Sequence, residues 1–371
     1  MANSIFEFLE RRENKEIWRE AVDQTDWRLL NPVDRSRLDR LIPAVSYPSR
    51  SILINRMVTH RPTLATIIAE DAEVPPSRPQ MILNEELLGN CKIGKKYQWN
   101  ERDQKQLLEL QQGSLPQALK MAIENYFFGV ISDLVPSIYD KSMRLAMDIA
   151  LTGSCTFTDP ISKAKFSISY TPTSGHIPTA LTGANLWSAP TTCTPLANIE
   201  AHAETVYNTL GMFPASISMH RAQLRQVAAS NEAKIAYLTR MGGSGTTSQD
   251  LTGVFISDKA VMELIGERVN PFGMAEVIIN DAKYSEEQAN GSISDKEYLA
   301  VGANSGYYMF GWDGYIERGF MPTIENRLAS GIYVVNGQKI DDVPHRYWTT
   351  AVANFIPVVR DPRYIAARKV A

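Results

Sequence analysis

Apolar positions Leu115, Leu119, Ala122, Ile123, Tyr126, Phe127, Val130, Ile131 and Leu134 recur at three- and four-residue steps, the spacing that lines one face of a helix. The stripe resumes beyond Pro136 through Ile138, Tyr139, Ser142, Met143, Leu145, Ala146, Ile149 and Ala150. At 1.5 Å per residue the run predicts a strut on the order of 50 Å long, with a bend or a break into two helices at Pro136. The pattern then changes, and residues 155–158 and 165–169 read as the two strands of a hairpin around Asp159 and Pro160. A helix that long in a chain of 371 residues points to a protein whose work is shape.

Ahead of the strut, the first forty residues read as a charged helical arm. Ser4 and Glu7 have capping-box spacing, and Ile5, Phe8, Leu9, Ile17, Trp18, Ala21 and Val22 give it narrow apolar edges. An arm with so little apolar surface must lie along its own body or a neighbouring subunit. Residues 51–59 and 63–69 read as strands, followed by the Pro-punctuated Val74-Pro75-Pro76-Ser77-Arg78-Pro79. Residues 91–100 alternate like a returning strand, with Ile93, Lys95, Tyr97 and Trp99 on one side, and 101–112 read as a polar helix closed by Gly113. An isolated two-stranded ribbon is only marginally stable, so this excursion makes sense buried against another subunit.

Beyond the hairpin, a polar connection over 171–194 leads into α/β alternation. Helices are predicted over 195–210, 221–229, 232–241 and 259–267, the first with Leu196, Ile199, Ala203, Val206 and Leu210 on one face. Strands are predicted over 215–219, 275–280, 307–310, 332–335 and 351–359, the last closed by Arg360, Asp361, Pro362 and a basic tail.

Composition narrows the class. Apolar content of 44% and charged content of 21% suit a folded chain, and its length favours two lobes. A net charge of −3 argues against a dedicated nucleic-acid binder, though not against the lining of a container for nucleic acid. Cys91, Cys155 and Cys193 are far apart and form no metal-ligand cluster, which fits buried thiols in a reducing cytoplasm. Asp133 interrupts the best apolar run, and neither a signal peptide nor a myristoylation start is read at the N-terminus, so the expectation is a soluble protein used without export.

The search for chemistry returns little. The loop Met241-Gly242-Gly243-Ser244-Gly245-Thr246-Thr247 follows a helix and lacks the Lys of a phosphate loop, and Thr246 stands where a nucleophile elbow needs its second Gly. His60, His176, His202, His220 and His345 form no i, i+4 pair, and all five read as solvated or locally hydrogen-bonded. Whether Asp250, Asp258, Asp281 and Asp313 meet in space stays open, and Asp341-Asp342 reads as a polar turn. Residues 302–320 interleave five glycines (302, 306, 311, 314, 319) with Tyr307, Tyr308, Phe310, Trp312, Tyr315 and Phe320. This reads as β-structure with tight turns and aromatic packing, with a stacking platform or a subunit interface as alternatives. No catalytic, cofactor-binding or metal-ligating residue and no cofactor is assigned.

Certain stretches carry a family likeness. Ala150-Leu151-Thr152-Gly153 leads into Cys155-Thr156-Phe157-Thr158 and Phe166-Ser167-Ile168; Trp187 precedes the helix ending at Leu210; Ile217-Ser218-Met219 opens another helix; and Ile356-Pro357-Val358-Val359-Arg360-Asp361-Pro362 forms the ending. In this order the parts resemble the major capsid proteins of tailed phages, with their Hong-Kong-97-type α+β fold, and most of all the lambda-type protein E family. The resemblance implies an N-terminal arm over 1–46, an extended β loop over 47–112, and a peripheral domain of spine helix and hairpin over 113–172. It further implies an α/β axial domain over 173–345 and a return to the peripheral domain over 346–371. The implied function is self-assembly into hexamers and pentamers that form the icosahedral or prolate, DNA-containing head of a tailed bacteriophage, with no enzymatic role. The implied partners are other copies of the chain, a scaffolding protein, a portal and a decoration protein; DNA would be enclosed without sequence-specific binding, and no membrane is involved. Assembly would take place in the host cytoplasm and the product would be the virion capsid. An encapsulin-like cargo shell and an α/β enzyme with a helical accessory lobe are the competing readings.

Overall fold

The computed structural model describes residues 32–47, 52–57, 83–88, 91–99, 105, 133–158, 165–242, 251, 253–288, 290–299, 306–321, 332–339 and 346–370. In chain order the elements are α1 (Pro32–Leu41), β1 (Ala44–Ser46), β2 (Ile52–Met57), β3 (Leu83–Leu88), β4 (Cys91–Trp99), α2 (Leu134–Thr152), β5 (Ser154–Thr158) and β6 (Lys165–Ser169). They continue with α3 (Pro195–Leu210), β7 (Ser216–Met219), α4 (Arg221–Ala229), α5 (Asn231–Arg240), α6 (Asp258–Val269), β8 (Glu276–Ile279), β9 (Lys283–Glu287) and β10 (Ile293–Glu297). The last five strands are β11 (Gly306–Phe310), β12 (Ile316–Met321), β13 (Ile332–Lys339), β14 (Arg346–Val359) and β15 (Ala366–Lys369).

A five-stranded sheet is organised by β14. One edge of β14 carries β13 along residues 346–353 and then β12 along 354–359; the other edge carries β4 along 347–355, all antiparallel. Strand β1 adds to β12 in parallel. A four-stranded sheet has the order β15-β11-β7-β8. The alternation of side chains along a strand splits β11 between two cores. Tyr308 and Phe310 face a core built from α2 and the five-stranded sheet, whereas Tyr307 and Met309 face a core built with α3, α4 and α6. Helix α2 is therefore packed between the two sheets.

Helix α2 starts at Leu134, so Pro136 sits in its first turn, where a missing N–H has no intrahelical carbonyl to serve. Pro136 thus lies near the start of the described helix. The stripe residues 115–131 lie outside the described residues. The helix stops at Gly153, whose φ of 72 is the left-handed value a side chain resists, and a Cβ there would meet Pro172 at 2.5 Å. The β5–β6 hairpin follows at once, and Tyr170 then donates its O–H to the Pro357 carbonyl at 2.8 Å, pinning the hairpin's end to β14.

Strand 91–99 was expected to return the ribbon. Instead it joins β14, and the ribbon's second strand is β3, which pairs with β2 from Ile52↔Leu88 to Met57↔Leu83. Across the boundary expected at 345, β12 and β13 belong to the sheet of β14, and β15, read as a basic tail, crosses to the four-stranded sheet. Pairing between strands far apart in sequence leaves no local signature, which is why these memberships were not legible. The expected strand at 63–69 and the capping box at Ser4 fall outside the described residues, and of the helix expected over 101–112 only residue 105 is described, as helical.

Two buried charges fasten the N-terminal segment. Arg318 is 1% exposed; its Nε donates to the Ile42 carbonyl at 2.9 Å and its guanidinium pairs with Asp39 of α1. Its neighbour Glu317, 3% exposed, accepts from the Tyr47 hydroxyl and from Arg360. Removing one member of a buried pair strands the other, at a cost of about 3–5 kcal/mol. Arg318→Ala is therefore expected to lower the unfolding free energy by about that amount, while Arg318→Met with Asp39→Leu regains most of it. Urea midpoints of the three chains check this, and a loss below about 1 kcal/mol for Arg318→Ala would contradict it.

Candidate functional site

The titratable residues singled out from sequence do not converge. Asp258 opens α6, Asp281 meets α4, and Asp313 pairs with Arg40 at 3.0 Å. His60, His345, Asp250, Asp341, Asp342 and the loop beyond Gly242 lie outside the described residues. Among the described residues no group of three His, Cys, Asp or Glu side chains is placed to hold a metal ion, and no helix is long and apolar enough to cross a membrane.

Each described histidine has a structural task, and two depart from the expectation of solvated or local bonding. His202 is 3% exposed; its Nε2–H donates to the His176 carbonyl at 3.0 Å, leaving Nδ1 to accept from the Tyr307 hydroxyl at 3.1 Å. His176 is fully buried and donates from Nδ1 to the Arg363 carbonyl at 2.6 Å. The Trp187 ring stacks on Tyr307 with centroids 5.5 Å apart. Together these rings clamp the irregular segment 171–194 between α3, β11 and the C-terminus. The signal missed in the sequence is that i−3 and i+4 of His202, Ile199 and Val206, are both core residues, so His202 lies on the apolar face of α3. His220 behaves locally, as the cap of α4: Nδ1 accepts from the Ala222 N–H at 3.0 Å while its own N–H donates to Gln223. Its Nε2 faces Asp281 at 3.3 Å and Glu297 at 3.4 Å.

A cleft of about 590 Å³ opens between α2, the β9–β10 hairpin and β15, lined by Arg144, Asp148, Tyr284, Lys296, Tyr298 and Arg368 among others. Several of its charges are paired within the chain. Arg144 binds Asp148 at 2.7 Å, Lys283 faces Glu297 at 3.6 Å, and Lys296 binds Glu286, which also faces Lys141 of α2 at 3.5 Å. Burial raises the Asp148 carboxyl, with Arg144 and Lys141 opposing it; burial pushes Glu286 upward too, but Lys296 and Lys141 outweigh it and hold that carboxyl below its usual range. The arrangement laces a hairpin to a helix. The thiols are equally quiet: burial raises Cys91 and Cys193, and pushes Cys155 up to about 12.

The described part of the aromatic run, 306–320, forms two strands and a turn, with Tyr307, Tyr308, Phe310, Tyr315 and Phe320 at most 1% exposed. Of the three readings, packing describes these rings. Phe310 meets Tyr315 edge-on at 5.4 Å, and Phe320 meets Phe355 at 5.6 Å. One functional feature invisible in sequence is the cap of α3, where Glu232 of α5 accepts from the Leu196 and Ala197 N–H groups at 2.7 and 3.0 Å.

No protein-family model matches this chain, and no curated protein matches it by sequence. Solved structures do match. A candidate capsid protein of a prophage in Escherichia coli CFT073 is 14% identical over 96% of this chain and 98% of its own, with a TM-score of 0.53. The Gordonia phage Cozz structure is 11% identical over 91% of this chain and 85% of its own, at a TM-score of 0.45. An encapsulin complex from Synechococcus elongatus PCC 7942 is 11% identical over 90% and 87%, at 0.44. The first likeness establishes the fold, which is the α+β, Hong-Kong-97-type capsid fold that the order of parts implied.

Acid should loosen the histidine clamp. Burial pushes His202 down to about 4 from the usual 6.5, against the opposing bond to His176, and lowers His176 as well. A depressed histidine leaves stability intact above 6.5, because both states are then neutral; as the pH falls the unfolded chain takes the proton first, and stability drains until about 4. The His202 contribution over that window is on the order of 3 kcal/mol. Urea midpoints measured from pH 7 to 4 should fall for the natural chain and fall less for His202→Gln; parallel curves would contradict the assignment.

Proposed function

We propose that this chain is the major capsid protein of a tailed bacteriophage, assembling into hexamers and pentamers that close an icosahedral or prolate head around DNA. The observation that carries the reading is the likeness to a prophage capsid candidate over nearly the whole of both chains. The division of labour follows the sheets. The β2–β3 ribbon is the extended loop, α2 with the five-stranded sheet is the peripheral body, and the four-stranded sheet with α3 to α6 is the axial body.

Physical reasoning supports a structural role. A shell subunit needs many modest contacts, since ring closure raises the effective concentration of each one. The ribbon pairs strand to strand with itself, and a two-stranded ribbon gains lasting order from a neighbour's surface. The arm mixes Arg11, Arg12, Glu13, Lys15, Glu16, Arg19 and Glu20, a pattern suited to setting register through salt-sensitive pairing. A net charge of −3 keeps the subunit from gripping packaged DNA. A scaffolding protein, a portal and a decoration protein complete the proposed set of partners, with assembly in the host cytoplasm and residence in the virion capsid.

Electron microscopy and sedimentation of the expressed chain test the proposal. Closed shells are the expected result, produced by the chain alone or together with its genomic neighbours. Shells that fill with DNA through a portal complete the phage reading, and shells that load protein cargo instead replace it with an encapsulin-like compartment. A small uniform oligomer under both conditions contradicts a shell altogether.

A further inference from the structure

The axial body exposes an aromatic surface that gains nothing for an isolated subunit. Phe272 is 85% exposed, Met274 49%, Met212 44% and Tyr207 38%. The rings form one group: Tyr207 stacks on Phe213 with centroids 4.3 Å apart, and Phe213 meets Phe272 at 5.8 Å. Three pieces of chain meet here, namely the last turn of α3, the link from α3 to β7, and the turn from α6 to β8.

That last turn is built to hold its side chains outward. Asn270 accepts from the Phe272 N–H at its side-chain oxygen, 3.1 Å away, and from the Met274 N–H at its carbonyl, 3.0 Å away. The Ala275 N–H donates to the Gly266 carbonyl at 3.0 Å, an approach so close that a Cβ on Gly266 would sit 2.6 Å from the Ala275 oxygen. Within this turn Met274 has φ 52, the one positive φ at a non-glycine residue among the described residues. A left-handed methionine is strained, and strain persists where the surroundings over-determine it. An exposed ring and a strained backbone in one turn are both unfavourable in the free chain.

The size of the surface and the charges flanking its turn say what covers it. With roughly 150–250 Å² per large aromatic side chain, the group offers on the order of 400 Å². That is the range in which an exposed patch becomes functional, and about half the roughly 800 Å² one partner contributes to a stable interface. A contact of this area holds only when closed together with others. Both signs flank the turn in sequence: Arg268 before it pairs with Glu200 at 2.8 Å, and Glu276 after it pairs with Arg40, which also holds Asp313 at 3.0 Å. A polyanion would meet three carboxylates against two cations there, whereas another copy of this mixed-sign chain matches it.

We infer that the Tyr207, Phe213 and Phe272 surface is a contact between neighbouring copies of this chain, an assignment that rests on the shell reading above. Two measurements test it. In the first, a chain with Phe272→p-benzoylphenylalanine is prepared with and without ¹⁵N, the two are assembled together, and the mixture is irradiated. Cross-links joining one labelled and one unlabelled peptide are expected, and cross-links confined to single chains overturn the contact. In the second, Phe272→Asp should lower the assembled fraction at least about tenfold with an unchanged melting temperature, while Phe272→Trp assembles normally. Assembly of Phe272→Asp at the natural yield overturns the contact. The two readings fail separately. Closed shells without mixed-label cross-links remove this contact and keep the shell, and a small ring with such cross-links removes the shell and keeps the contact.

Discussion

The fold hangs on one strand. β14 is 14 residues long and takes partners on both edges, collecting β4 from before the long helix and β12 and β13 from after the axial body. The residues it pairs with lie as near as Lys339 opposite Arg346 and as far away in sequence as Cys91 opposite Phe355. A ladder of that kind closes late and opens as a unit, because each edge depends on β14 being extended and in register. Its inner face shows why it is held: Ala351, Ala353 and Phe355 alternate into the core against α2, fully buried.

Around that strand the molecule divides its polar groups by task. Buried charges act as fasteners: Arg318 holds α1, and Glu317 gathers Tyr47 and Arg360. Buried imidazoles clamp the irregular 171–194 segment against the axial sheet. A partly exposed ion pair, Lys141 with Glu286, laces the β9–β10 hairpin to α2. Beside these pairs the described residues hold an exposed aromatic turn at Phe272 and a ribbon whose two strands pair with each other. Such a distribution suits a subunit whose free energy of function is gained between copies.

Legibility in the sequence followed the range of the interaction. Helix α3 was readable to its ends, because Pro195 opens it, Gly211 closes it at φ 79, and its apolar spacing is local. The β5–β6 hairpin was readable for the same reason. Strand β12 was not, since Glu317 and Arg318 interrupt its apolar run and become core residues only through partners some 280 positions away in the case of Asp39. β15 looked like a basic tail because Arg368 and Lys369 dominate four residues whose two alanines are the buried ones. His202 was misread because its burial is set by Tyr307 and His176, which are remote in sequence. The aromatic surface at Phe272 was passed over altogether: its turn is ordinary in sequence, and only exposure in three dimensions distinguishes it.

The most direct test of this account is amide hydrogen exchange on the unassembled chain, resolved by peptide. The account predicts that β14 and its partners β4, β12 and β13 exchange together, at the slowest rates in the molecule and only through global opening, while the β2–β3 ribbon exchanges orders of magnitude faster. A β14 that exchanges as fast as the ribbon, or a β4 that opens well before β12, would contradict the claim that one strand holds the subunit together.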